Sequence, residues 1–360
     1  MHILFVLEHY YPYIGGAEKL FKDLAESMTK QGFEVTVLTT RHNHTIPKHE
    51  ILNKVNIVRL PFKNRFLFTF FSLPYLIKHI RKADIVHTTS YNAAFPAFFA
   101  AKYCRKPVYI TFHEVWNRLW FTLPFYSLIS KTAFYLFEKM ILLLPFDKYI
   151  AVSNYTKSCL LNVGIKKSKI VMIYNGMDYD RIEHYRSSLI RQKQLFTYYG
   201  RLGASKGIEL LLEAIFELKK EISLFKCQLI IPQYPHAVYV AVMDLISTYK
   251  INDQLDIYHE LKVDALYQTI QKGSFVVIPS YSEGFCFVAA ECAALNIPVV
   301  SSGRGALKET VSGKYIELEH LDADQLKISL KKGLLGQWQE REPTQFLMRD
   351  MIDSYVQLYQ

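Results

Sequence analysis

Short apolar runs alternate with helical patterns along most of the chain, the rhythm of parallel sheets covered by helices. Ile3–Leu7 predicts a first strand and Phe33–Thr39 a second. Between them Ala17, Leu20, Phe21, Leu24, Ala25 and Met28 recur at helical spacing, an amphipathic helix that Gly32 ends. Val55–Leu60, Asp84–Thr88, Val108–Phe112, Lys148–Ser153 and Lys169–Ile173 predict the remaining strands of a first half. The stretch from Asp180 to Gln194 is polar and poor in strand formers, which suits a boundary. A second alternation then begins: strand Leu195–Gly200, a helix from Gly207 to about Lys220, and strands Cys227–Ile231, Leu255–Tyr258, Ser274–Ile278 and Ile297–Val300. Thr344–Tyr359 has the apolar spacing of a closing helix. Two similar halves imply two sheets with a cleft between them, and put functional loops beyond the carboxyl ends of strands. The expected domains are 1–185 and 186–343.

Length and composition agree with this division. A chain of 360 residues exceeds one comfortable core, and 50% hydrophobic with 21% charged residues describes a fully folded protein. Cys104, Cys159, Cys227, Cys286 and Cys292 form no Cys-x-x-Cys pair, which argues for a reducing compartment and against a disulfide framework or zinc site. The opening apolar run is broken by Glu8 and His9 and reads as a core strand, not a secretory signal. The most apolar region, Trp116 to Phe146, is interrupted by Lys131, Glu138 and Lys139, which excludes an unbroken membrane span there.

The net charge of +10 is uneven. Met1 to Tyr185 holds 24 Lys/Arg against 13 Asp/Glu, while Arg186 to Gln360 holds 19 against 20. The positive field therefore belongs to the first half, where it can attract an anionic substrate, anionic lipid or nucleic acid. With no zinc finger, RNP motif or lysine-rich tract, nucleic acid is the weakest of the three, and none is expected as a partner.

Four loops carry candidate chemistry. Gly15 and Gly16 stand directly before a helix, where small residues let a ligand reach backbone N–H groups; a plain tight turn fits equally well. The spacing is neither the dinucleotide fingerprint nor a P-loop. His113 and Glu114 end a strand, placing an imidazole where a substrate hydroxyl or phosphate would lie, although an isolated histidine is more often structural. Arg201 and Lys206 sit in a glycine-rich loop between strand and helix, joining a guanidinium fork to a mobile ammonium; a solvent-facing basic turn is the alternative. Glu283 and Glu291 lie eight positions apart in an otherwise apolar run. On one helix that is about 12 Å of rise, beyond the roughly 5 to 9.5 Å of a glycosidase carboxylate pair, so the two serve different parts of an extended ligand or are partly exposed helix residues. Gly284 points to Glu283 in a loop, Phe285–Leu295 as the helix, and backbone N–H groups at Gly284 and Phe285 as a phosphate cradle.

Taken together, Gly15-Gly16, His113, Asn175-Gly176-Met177-Asp178, Arg201 with Lys206-Gly207, Ser282-Glu283-Gly284-Phe285 with Glu291, and Pro298 to Ser302 resemble the retaining glycosyltransferases of the GT-B fold, family 4 (glycosyl transferases group 1). The resemblance spans nearly the whole chain and implies an α/β architecture of two Rossmann-like domains facing across a cleft. It implies an acceptor held mainly by the first domain, a nucleotide-sugar donor held chiefly by the second, and a closing helix of about 344–360 that packs back on the first. It assigns His113 and Glu283 to catalysis, Gly16, Arg201, Lys206, Gly284 and Phe285 to the donor diphosphate, Glu291 to the ribose, and Gly15 and Glu114 to the vicinity of the acceptor or sugar. No tightly bound cofactor and no metal are implied; the UDP- or GDP-hexose is a substrate. Cys286 stands where many relatives have glycine or another small residue, and the loop Gly303–Glu309 follows the usual glycine-rich pattern loosely.

The first half also carries aromatic and basic stretches. Pro61–Lys82 mixes aromatics with Lys63, Arg65, Lys78, Arg81 and Lys82, and Trp116–Phe137 adds two tryptophans. These fit either a surface docking on an anionic bilayer or helices covering a sheet with snorkelling charged tips. The expected activity is hexosyl transfer to a glycan or lipid-linked acceptor in the cytoplasm, or at the cytoplasmic face of a membrane. The competing readings are a glycogen- or sucrose-type transferase with a soluble acceptor, and a non-catalytic nucleotide-sugar-binding peripheral membrane protein.

Overall fold

A computed structural model describes residues 1–13, 15–62, 64–186 and 191–360; Lys63, one of the cations named above, lies outside the described residues, as does part of the polar stretch after Asp180. The chain divides into two compact units, one of Met1–Trp120, Lys131–Met177 and Phe346–Gln360, the other of Phe121–Ser130 and Asp178–Gln345.

The first unit is built on strands β1 (His2–Val6), β2 (Glu34–Thr40), β3 (His49–Leu52), β4 (Val55–Leu60), β5 (Ile85–Thr89), β6 (Val108–Phe112), β7 (Lys148–Ala151) and β8 (Ile170–Met172). They lie in the order β3-β4-β2-β1-β5-β6-β7-β8, and only β3, antiparallel to β4, departs from the parallel arrangement. The strands read as continuous apolar runs because both faces are covered: Leu4, Val6, Leu38, Val86, Ile110 and Phe112 are buried on one face and Ile3, Phe5, Val35 and Val37 on the other. Register places Val6 opposite Leu38 on one side and Thr88 on the other. The order reverses beside β1, between β2 and β5, which creates the crevice at which open α/β sheets take ligands. Helix Gly16–Lys30 fills the first crossover and buries Leu20, Phe21, Leu24, Ala25 and Met28, the stripe its sequence predicts.

Helix Met348–Tyr359 belongs to this unit although it follows the other in sequence. Met177 donates its N–H to the Phe346 carbonyl and accepts from Met348, at 2.7 and 3.1 Å. Tyr355 and Tyr359 are buried, and the Tyr359 hydroxyl meets Nδ1 of His87, whose Nε2 lies 2.8 Å from Thr111 Oγ1. Burial pushes the imidazole of His87 down to about 3.

The second unit holds β9 (Gln192–Tyr199), β10 (Lys226–Ile230), β11 (Leu255–Tyr258), β12 (Gly273–Ile278), β13 (Val299–Ser301), β14 (Gly313–Glu317) and β15 (Gln339–Arg341). Their order is β11-β10-β9-β12-β13-β14-β15, parallel but for β15 against β14. The reversal beside β9 repeats the doubly wound pattern, so each unit is Rossmann-like. Phe196 and Phe275 stack at 5.2 Å in a core completed by Leu211, Ile215, Leu229 and Leu330. β3, β14 and β15 go beyond the strands expected from sequence. β15 is exposed throughout and β3 half-exposed, so edge pairing, not an apolar run, makes them strands.

Candidate functional site

In the second unit the loops after β9 and β12 flank the reversal of strand order and are laced together. The Tyr281 N–H donates to the Ser205 carbonyl at 2.8 Å, and Gly207, at φ +64, lies so close to Pro279 that a Cβ there would collide with its carbonyl oxygen. This lacing carries Lys206 to Glu283: the ammonium donates to both carboxylate oxygens, at 2.8 and 2.9 Å. Ser280 Oγ donates to the same carboxylate at 2.7 Å, and the Glu283 carbonyl accepts the Ala306 N–H at 2.7 Å. That last bond belongs to a third loop, after β13. Gly305 packs there at φ +68 against the Glu283 backbone, where no side chain fits. Glu283 is therefore 7% exposed, its carboxylate held by Lys206 and Ser280 from two loops and its backbone by the third.

Gly284 and Phe285 are buried in the loop between Glu283 and helix Phe287–Ala294, which begins later than the expected Phe285. The reason is Cys286, whose φ of +75 and ψ of 83 break the helical backbone at the cap position. A left-handed residue explains why glycine suits this place. The thiol is buried, and desolvation pushes its ionisation well up. Arg201 stands exposed on the loop after β9, with no carboxylate partner among the described residues. The Lys206 ammonium is neutralised by Glu283, so the exposed Arg201 guanidinium and the start of helix Phe287–Ala294 are the features at this end of the sheet that suit an anion.

Glu291 lies on helix Phe287–Ala294, separated from Glu283 as the loop placement of the latter anticipates. Its oxygens accept the hydroxyls of Tyr199, at 2.9 Å, and Tyr267, at 3.2 Å. Burial above all raises both phenols, aided at Tyr199 by Cys292 and then Glu291 and at Tyr267 by Glu291, so they remain protonated donors that fix the carboxylate's orientation. Neither tyrosine was singled out by sequence: Tyr199 lies in the predicted strand Leu195–Gly200, and Tyr267 on helix Val263–Ile270, which the sequence reading did not predict.

Gly15, Gly16, His113 and Glu114 belong to the first unit. Gly15 caps helix Gly16–Lys30 in an extended conformation. His113 and Glu114 follow β6 and are partly buried. The His113 ring lies edge-on to Phe21, 6.1 Å between centroids, which ties the strand end to the helix that Gly16 begins. The sequence also passed over a group beyond β1. The buried carboxylate of Glu8 pairs with Arg65 at 2.9 Å and His9 at 3.1 Å, and His9 stacks on Tyr13 at 4.2 Å. Glu8 and His9 had been read only as interruptions of an apolar run.

Among the described residues, no cluster of three or more His, Cys, Asp and Glu side chains is arranged to hold a metal ion, and no helix is long and apolar enough to cross a membrane.

Comparison with known proteins matches both halves. The Glycosyltransferase Family 4 profile aligns with residues 14–181 and the Glycosyl transferases group 1 profile with 180–337. An uncharacterized glycosyltransferase of Methanocaldococcus jannaschii is 26% identical over 334 residues, 86% of this chain and 83% of that one. Sucrose-phosphate synthase from Thermosynechococcus elongatus shares the fold with a TM-score of 0.80 at 19% identity, covering 99% of this chain and 98% of that one. Anabaena HepE, solved with UDP and glucose, follows at 0.71 and 16% identity, covering 99% and 97%. With the two profiles meeting near residue 180 and two Rossmann-like sheets beneath them, the chain belongs to the family 4 glycosyltransferases, enzymes of the GT-B fold class.

Proposed function

We propose that this glycosyltransferase moves a hexose from a UDP- or GDP-linked donor to a glycan or lipid-linked acceptor with retention of the anomeric configuration. The donor belongs to the second domain, 186–343, and the acceptor to the first, 1–185. One observation carries this reading: the Lys206–Glu283 pair, with exposed Arg201 nearby, at the point where the second sheet reverses its strand order. Arg201 and Lys206 hold the diphosphate together with the amides at Gly284 and Phe285, Glu291 takes the ribose hydroxyls, and Glu283 the donor-sugar region. His113 and Gly16 serve the transferring sugar from the first domain, with Gly15 and Glu114 in its vicinity. UDP bound to Anabaena HepE supports a uridine donor.

The physical logic is that of a leaving group. Cleaving the sugar–phosphate bond builds charge on the departing diphosphate, and fixed cations and N–H groups favour that charge over the ground state. The acceptor hydroxyl attacks from the same face and gives its proton to the leaving phosphate. Five cysteines as free thiols suit a reducing cytoplasm. The likeness to sucrose-phosphate synthase keeps a soluble acceptor as the second reading.

The test is a thermal-shift and product screen across UDP-, GDP- and ADP-sugars, with the anomeric configuration of the product read by NMR. One donor should stabilise the protein and be hydrolysed or transferred. Donor affinity without turnover would mark a binding protein, and an inverted product would overturn retention.

A further inference from the structure

The first unit leaves uncovered an apolar surface that its core does not use. Helix Arg65–Phe71 buries only Phe68; Phe66, Leu67, Phe70 and Phe71 are 41 to 75% exposed. Helix Leu128–Leu143 continues the pattern with Leu136, Met140 and Leu143, 54 to 81% exposed and spaced along one outward stripe. The two helices are linked through a third, Ala94–Tyr103. Thr69 Oγ1 donates to the Asn92 carbonyl at 3.0 Å, just before that helix begins, and Phe95 in its first turn meets Phe137 at 5.2 Å. Single exposed apolar residues need no explanation, but seven on two helices tied through a third exceed that scatter.

Charge identifies the occupant. These helices and the adjoining Leu73–Ile80 carry Arg65, Lys78, Lys102, Lys131 and Lys139 but one carboxylate, Glu138; Arg65 is paired with Glu8 and Lys102 with Asp147, so the positive surplus rests chiefly on Lys78 and Lys139. Glu138 is turned inward, accepting the backbone N–H groups of Trp116 and Asn117 at 2.8 and 2.6 Å. Lys139 lies over the Tyr135 ring, 5.6 Å from its centroid. A second copy docking on this face would oppose cation to cation, whereas an anionic bilayer offers apolar depth beneath a negative rim.

We propose that this face is a membrane-docking surface, inserting Phe66, Phe70 and Leu136 among the acyl chains of an anionic bilayer while Lys78 and Lys139 meet its headgroups. The inference is independent of the donor reading, because docking is measured with no nucleotide-sugar present. Helix Arg65–Phe71 follows β4 at its carboxyl end, and helix Ala94–Tyr103 follows β5 likewise. A lipid-linked acceptor would thus arrive at the end of the sheet where ligands bind.

The full chain should co-sediment with vesicles containing phosphatidylglycerol and stay in solution with phosphatidylcholine alone, and high salt should release it. Lys78→Gln with Lys139→Gln should lower the bound-to-free ratio about thirtyfold. Phe70→Ser with Leu136→Ser should lower it about tenfold or more, leaving donor hydrolysis and the melting temperature unchanged. Background sedimentation of the wild type with anionic vesicles at low salt would overturn the proposal. So would a concentration-dependent dimer that the Phe70/Leu136 changes abolish, since the face would then be a self-association surface.

Discussion

Replacing Lys206 by methionine separates what the ion pair holds together from what it binds. The substitution keeps the side-chain stem and removes the ammonium, leaving the Glu283 carboxylate with Ser280 as its remaining side-chain donor. Breaking a buried pair from one side costs about 3 to 5 kcal/mol. The Glu283 side chain is 10% exposed but that of Lys206 is 24% exposed, so water relieves part of the cost and about 2 to 3 kcal/mol is expected. For a domain of this size that is roughly a 5 to 10 °C fall in its melting temperature. Adding Glu283→Gln removes the stranded charge, and the double variant should recover about half of the loss, a coupling of about 1 to 2 kcal/mol. Donor hydrolysis should not recover with it: losing a cation from the leaving group costs about 3 kcal/mol, or roughly 10²-fold in rate, in both variants. Calorimetry and a released-nucleotide assay read the two effects separately. Lys206→Met melting within a degree or so of wild type, roughly the shift of a negligible ~0.3 kcal/mol, would refute the structural claim. Recovery of both stability and hydrolysis in the double variant would refute the functional one.

Three further outcomes follow from the geometry. His87 ionises more weakly in the fold than in the unfolded chain, so its contribution is complete above about 6.5 and lost as the pH falls toward about 3. Urea unfolding should weaken by about 1.4 kcal/mol per pH unit in that window, and His87→Phe should flatten the slope. Tyr199→Phe or Tyr267→Phe removes one charged hydrogen bond from Glu291 and should weaken nucleotide binding about tenfold, with little change in kcat, as read by calorimetric titration and steady-state kinetics. Cys286 should resist iodoacetamide at neutral pH in the folded protein, and Cys286→Gly should change stability by no more than about 1 kcal/mol, because relief of the left-handed backbone offsets the lost thiol.

What the sequence disclosed depended on the length scale of the signal. The parallel strands were legible because burial on both faces leaves a run such as Ile3–Leu7 or Ser274–Ile278 without interruption. The edge strand Gln339–Arg341 was not, since nothing in three polar residues distinguishes a paired edge from a loop. The loops holding Arg201, Lys206 and Glu283 could be found from glycine and charge, but the bond between Lys206 and Glu283 joins positions far apart in the chain and appears only once β9 and β12 are neighbours. The delayed helix start at Phe287 was hidden for a different reason: cysteine carries no sign that its backbone will be left-handed. Glu8 was passed over because Arg65, 57 positions away, reaches it only once the chain is folded.

The return of Met348–Tyr359 to the first unit sets the sequence of events at the ribosome. Everything the second unit needs, from Phe121–Ser130 to Gln345, has been synthesised before that last helix emerges. Until then His87 lacks the phenol of Tyr359, and the parallel bridge between Met177 and Leu347 cannot close. The nascent chain thus completes its later portion first, and the earlier portion must wait, partly open, for a tail encoded more than a hundred and fifty codons downstream.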